Sequence, residues 1–173
     1  METLRIILFA LGAAIAYGIL HDQVTAHLCV EYFTIAHPPV FPTESPVLLA
    51  IGWGVLATWW VGLPLGLMLA VAARLGRGNR LNLADLRPAI LRLLATMALC
   101  AVAAGAWGAW SVASGRSPVP GGWGPLLPAE IHVAFSAAAW AHLASYASGI
   151  LGGLAVIAWT VWRRLLPPAG AAA

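Results

Sequence analysis

Four apolar runs constrain this chain more than anything else in it. They cover residues 4–20, 47–73, 89–113 and 133–162. A helix rises 1.5 Å per residue, so about 20 apolar residues cross a hydrocarbon core of ~30 Å. No water is available there to satisfy an open backbone, so such runs must be helical. The first run reaches only roughly 25 Å, and its helix is expected to continue a turn or more into the polar stretch beyond. Ala14-Ile15-Ala16 also resembles the small-residue site that ends a cleaved leader. The run is nevertheless expected to be retained as the first span. Composition points the same way. The chain is 61% hydrophobic and 9% charged, which leaves too little polar surface to cover a water-facing globule. The expected fold is an all-α membrane protein, a single domain over residues 1–173 with four transmembrane helices and an interfacial segment after the first.

All nine cations are arginines, and eight of them lie at the amino terminus, in residues 74–92 or near the carboxyl terminus. Only Arg116 lies in the other two connections. The positive-inside rule then predicts a multi-pass protein of a bacterial cytoplasmic (inner) membrane, with both termini and the 74–88 loop inside. This accounts for the net charge of +3 better than nucleic acid does, so no nucleic-acid partner is expected. Connections 21–46 and 114–130 face outward. With them go all five histidines and four of the six acids, Asp22, Glu31, Glu44 and Glu130.

Prolines punctuate the chain. Four fall between residues 38 and 46 and mark a rigid, extended connection. Pro64 sits between Gly62 and Gly66, predicting a kink in a helix whose glycines allow close approach to a neighbour. Cys29 and Cys100 are too differently placed to form a disulfide, and Cys29 reads as a small packing residue. The loop around Asp85 reads as a solvated cytoplasmic turn.

Residues 21–37 hold most of the chemistry: His21, Asp22, Gln23, His27, Cys29, Glu31, Tyr32 and His37. Counting along each helix from its arginine-rich end puts His21 about 24 Å from Arg5 and His142 about 30 Å from Trp162. Both then lie near the outer edge of the apolar core. In the last run, His142, Ser145, Tyr146, Gly149, Gly152 and Gly153 recur at spacings of three and four. Such a polar-to-small stripe packs inward, while Leu143, Ile150, Leu154 and Ile157 face lipid. An ionisable group at that depth is expensive to bury and marks a functional site.

The expected metal set is His21, Asp22, Glu31 and His142, with Gln23, His27 and Tyr146 in support. Imidazole and carboxylate suit one transition metal ion, Zn, Fe, Mn or Cu, used for metal handling or metal-dependent chemistry. If the segment stays helical, His27 and Glu31 share a face at i, i+4. Two alternatives stay open. The cluster is a hydrogen-bond clamp in an accessory or scaffold subunit, docking a membrane-protein partner or a second copy through Gly-rich faces; or His21 and His142 are the axial pair of a haem b. His27, His37 and His132 are expected to be water-exposed. Trp53, Trp110 and Trp123 suit the outer interface, Trp159 and Trp162 the inner, while Trp59, Trp60 and Trp140 are deeper and expected to pack helices rather than hold a pigment. No phosphate loop, dinucleotide fingerprint or nucleophile elbow is present.

Tyr17-Gly18-Ile19-Leu20-His21-Asp22-Gln23, Glu31-Tyr32-Phe33-Thr34, Ala57-Thr58-Trp59-Trp60-Val61-Gly62 and His142-Leu143-Ala144-Ser145-Tyr146-Ala147-Ser148-Gly149 together resemble a family of small, uncharacterised bacterial four-span membrane proteins. The resemblance implies the four-span fold and picks out His21, Asp22, Gln23, Glu31 and His142. It implies no activity.

Overall fold

The computed structural model describes residues 1–76 and 78–165. Arg77 and the Pro167-Pro168 pair, counted above among the loop and terminal signals, lie outside the described residues. Four helical segments are long and apolar enough to cross a membrane: Glu2–Leu28, Pro46–Arg74, Leu83–Ala113 and Ala129–Leu165. No strand occurs among the described residues. The chain is all-α with four candidate spans.

Helix α1 (Glu2–Leu28) runs through the first apolar run and two turns into the polar stretch. It ends where Cys29 turns extended, and a four-residue helix α2 (Glu31–Thr34) follows. The second span is two helices, α3 (Pro46–Leu56) and α4 (Trp59–Arg74). Its break falls at Ala57–Thr58, about two turns ahead of Pro64, which lies inside α4. The break thus precedes the proline. The break lies beside a close approach to α1. A Cβ on Gly54 would stand 2.6 Å from the backbone of Ile19, and one on Gly18 2.6 Å from Gly54 O. Gly62 and Gly66 then seat against Ala14 and Ala10 of α1, the close packing that small residues permit.

Helix α5 (Leu83–Ala113) starts six residues earlier than the apolar run. Asn82 caps it: its side chain accepts from Asp85 N at 3.2 Å, while the Asp85 carboxylate accepts from Asn82 N at 2.9 Å. Asp85 is thus one half of a capping box rather than part of a free turn. After short 3-10 turns, α6 (His132–Leu165) runs unbroken for 34 residues.

Helix α1 packs along α3 and α4, α5 packs along α6, and α4 meets α6 to join the two pairs; α1 and α5 touch little. At the arginine-rich end Ile6, Leu69, Leu86 and Ile90 form one core cluster. At the other end Phe33 packs with Leu49 and Ala50, and Phe135 with Val119 and Leu127. Arg164 is buried and clasps the first end. Its Nε donates to Asn79 O at 2.9 Å, and Nη1 to Ala72 O and Leu75 O at 2.7 and 2.6 Å. The carbonyls at the close of α4 carry the partial negative charge that a cation complements.

Candidate metal centre

Because α1 continues past residue 20, His21 and Asp22 stand on its penultimate turns rather than in a loop. Their partner comes from α6. Leu143, Ile150 and Leu154 are exposed while Ser145, Gly149 and Gly153 are buried, so the inward stripe is as expected and carries His142 to α1. Ile157 departs from its expected lipid face and packs against the Ile6–Leu86 cluster.

One ligand atom from each of His21, Asp22 and His142 lies within 4.8 Å of the other two. Asp22 and His142 are 5% and 9% exposed, and among the described residues no arginine is paired with Asp22. His142 Nδ1 lies 2.8 Å from Ala138 O. A carbonyl can only accept, so Nδ1 carries hydrogen, and in the neutral ring Nε2 presents its lone pair. That lone pair stands 3.1 Å from Asp22 Oδ1, itself an acceptor. Two facing acceptors repel unless a proton or a metal cation sits between them. His21 adds a third donor. Its Nε2 is buried and has no hydrogen-bond partner among the described residues. Its Nδ1 lies 3.4 Å from Ser145 Oγ, which in turn lies 2.8 Å from the Tyr17 hydroxyl. An imidazole whose second nitrogen is held in this way has its orientation set for ligation.

Short helix α2 covers the group. Tyr32 stacks on His142 with ring centroids 4.5 Å apart, and Phe33 meets the same ring edge-on at 5.7 Å. Burial holds the Tyr32 hydroxyl well above the usual tyrosine range. It pushes the Cys29 thiol up to about 11, in keeping with an inert packed residue.

Glu31 is not brought to the group. The helix break at Cys29 ends the register that would have paired it with His27, and its carboxylate instead accepts from Cys29 Sγ at 3.4 Å. His27 is exposed and its Nδ1 donates back to Gln23 O at 2.7 Å. Gln23 Nε2 reaches Val47 O at 3.4 Å, tying α1 to α3. The Tyr146 hydroxyl lines the same cavity as the three ligands, and it donates to Ala57 O at 3.3 Å, at the α3–α4 break. A carbonyl freed by a break inside a membrane needs such a donor. His37 and His132 are partly buried rather than water-exposed. His37 donates to Tyr32 O at 2.7 Å and packs against Trp53, while His132 Nε2 lies 3.1 Å from Gly124 O and Leu127 O.

The His21 and His142 rings touch edge to face, with centroids 4.6 Å apart. No porphyrin plane fits between rings in contact, so this geometry does not favour a haem with these axial ligands. Trp59 and Trp60 face outward, and Trp140 packs on Trp107 at 4.7 Å. No tryptophan lines the cavity beside the centre.

Ser145, which sequence reasoning placed on the inward stripe without a chemical role, turns out to link His21 to Tyr17. The signal available was its spacing, one turn after His142. No family model matches the chain, and no curated protein or solved structure matches it.

Proposed function

We propose that this is a metal-binding membrane protein in which His21, Asp22 and His142 hold one transition metal ion (Zn, Fe, Mn or Cu) for metal handling or metal-dependent chemistry. One observation carries the reading. His142 Nε2 and Asp22 Oδ1 face each other at 3.1 Å beside the buried Nε2 of His21, which has no hydrogen-bond partner among the described residues. A single cation would use all three donors at once. Two imidazoles and a carboxylate are a suitable set for these metals, and they leave coordination positions open to water or a substrate. The arginine bias supports a bacterial cytoplasmic membrane with both termini inside, which puts the centre toward the outer leaflet. The ligands also fall within the motifs of the bacterial family that the chain resembles.

A second reading has one observation in its favour. A proton in place of the metal would make the same 3.1 Å contact a clamp between α1 and α6 in an accessory or scaffold subunit. It leaves His21 Nε2 without a role.

The test is the metal content of protein purified without chelators. About one equivalent per chain is expected, lost in both His21→Ala and His142→Ala. A metal-free wild type, or full retention by both variants, overturns the proposal.

A further inference from the structure

A cavity of about 130 Å³ opens directly beneath the three ligands, walled by α1, α4, α5 and α6. Its polar lining is confined to one end. Tyr17, His21, Asp22, Thr58, His142, Ser145 and Tyr146 all lie there, and every other lining residue is apolar or glycine. The walls run from His142 to Ile157 along α6, a length of roughly 22 Å. Averaged over that length, the volume corresponds to a cross-section about one hydrocarbon chain wide. Small residues line it on two sides, Ala14 and Gly62 on one, Gly149 and Gly153 on the other.

Few contacts close the cavity between α1 and α5, the side from which an apolar guest would enter. Helices α1 and α5 touch little, and they are held at the arginine-rich end, where Glu2 Oε2 accepts from Leu83 N at 3.3 Å and Ile6 packs with Leu86 and Ile90. Beyond that anchor both helices line the cavity. An apolar space of this kind does not hold water well and favours an apolar guest.

We infer that the cavity receives one unbranched acyl chain whose carboxyl oxygen, as a free acid or a lipid ester, meets the metal held by His21, Asp22 and His142. The inference rests on the metal reading. Three features select this guest. The single-file bore excludes fused rings, the apolar walls exclude a polar chain, and the open coordination positions sit at one end only, where an oxygen head would arrive.

The test uses the full chain in phosphatidylcholine vesicles containing hexadecanoic acid with a photoreactive diazirine in its tail. After irradiation the labelled peptides are mapped. Label is expected on the cavity walls around Leu94 and Ile157, falling about tenfold in Leu94→Trp, which fills the bore. Label on the lipid-facing Leu99 and Val102, 71% and 72% exposed, should stay constant. Val156→Trp, which narrows the bore from α6, serves as a second variant should the first fail to fold. Wall labelling no stronger than at Leu99 and Val102, or unchanged in a folded variant, overturns the inference. Metal is measured on the same samples. Bound metal without wall labelling sinks the acyl-chain inference alone. Wall labelling without bound metal confirms the chain in the cavity and sinks the metal reading.

Discussion

Asp22 Oδ1 and His142 Nε2 lie 3.1 Å apart although 120 residues separate them in the chain. The contact joins the carboxyl-terminal end of α1 to the first third of α6. It is made by two groups that would each be costly to bury alone.

Asp22→Asn separates the two readings of this contact. An asparagine amide donates to the His142 lone pair, so the clamp survives and unfolding stability should change by less than about 1 kcal/mol. The negative charge is gone, so metal affinity should fall by at least ~10-fold. Titration with the metal found in the wild type, alongside unfolding in mixed micelles, checks both parts. Unchanged affinity would remove Asp22 from the ligand set.

The α1–α3 seam is steric. Gly54→Ala would drive a Cβ to 2.6 Å from the backbone of Ile19 and should cost roughly 1–3 kcal/mol. Gly12→Ala has nothing within 4 Å and should be neutral or stabilising, since glycine inside a helix costs up to ~1 kcal/mol. The pair is compared by denaturant midpoint.

Tyr146→Phe removes the donor to Ala57 O. The loss should be about 1–3 kcal/mol, with faster amide exchange confined to the α3–α4 junction. Metal binding should persist, because the Tyr146 hydroxyl is bonded to Ala57 O and lies outside the ligand group. Loss of metal in a folded Tyr146→Phe variant would show that the break positions the ligands.

His37 lies outside the spans, and burial holds it below the usual histidine range. The folded protein therefore favours neutral His37. Its contribution to stability is present above the unfolded value of about 6.5 and declines as pH falls from there toward the lowered folded value. Thermal unfolding at a series of pH values should show this acid-side loss in the wild type and a smaller one in His37→Asn. Identical profiles would mean that His37 does not contribute.

The inward stripe on α6 and the depth match between His21 and His142 were legible because both are one-dimensional. A helix converts sequence spacing into angle and height, and an apolar run sets the height scale. Glu31 was misplaced because nothing local announces the break at Cys29, whose extended backbone ends the register linking His27 to Glu31. The break between α3 and α4 was not legible for a related reason. Proline marks a weak point in a helix, but the chain breaks about two turns earlier, beside the close contacts of Gly18 with Gly54 and Thr58.

By itself, then, the sequence determined the four-span all-α class, since unbroken apolar runs in a chain this poor in charge have no other way to satisfy their backbone. It also determined which face of α6 turns inward, since small and polar residues recur there at helical spacing. Only the tertiary structure decided that Asp22, not Glu31, meets the two histidines, and that an apolar bore lies beneath them. Both depend on how closely separate helices approach, a distance set by glycine and alanine contacts between segments far apart in the chain.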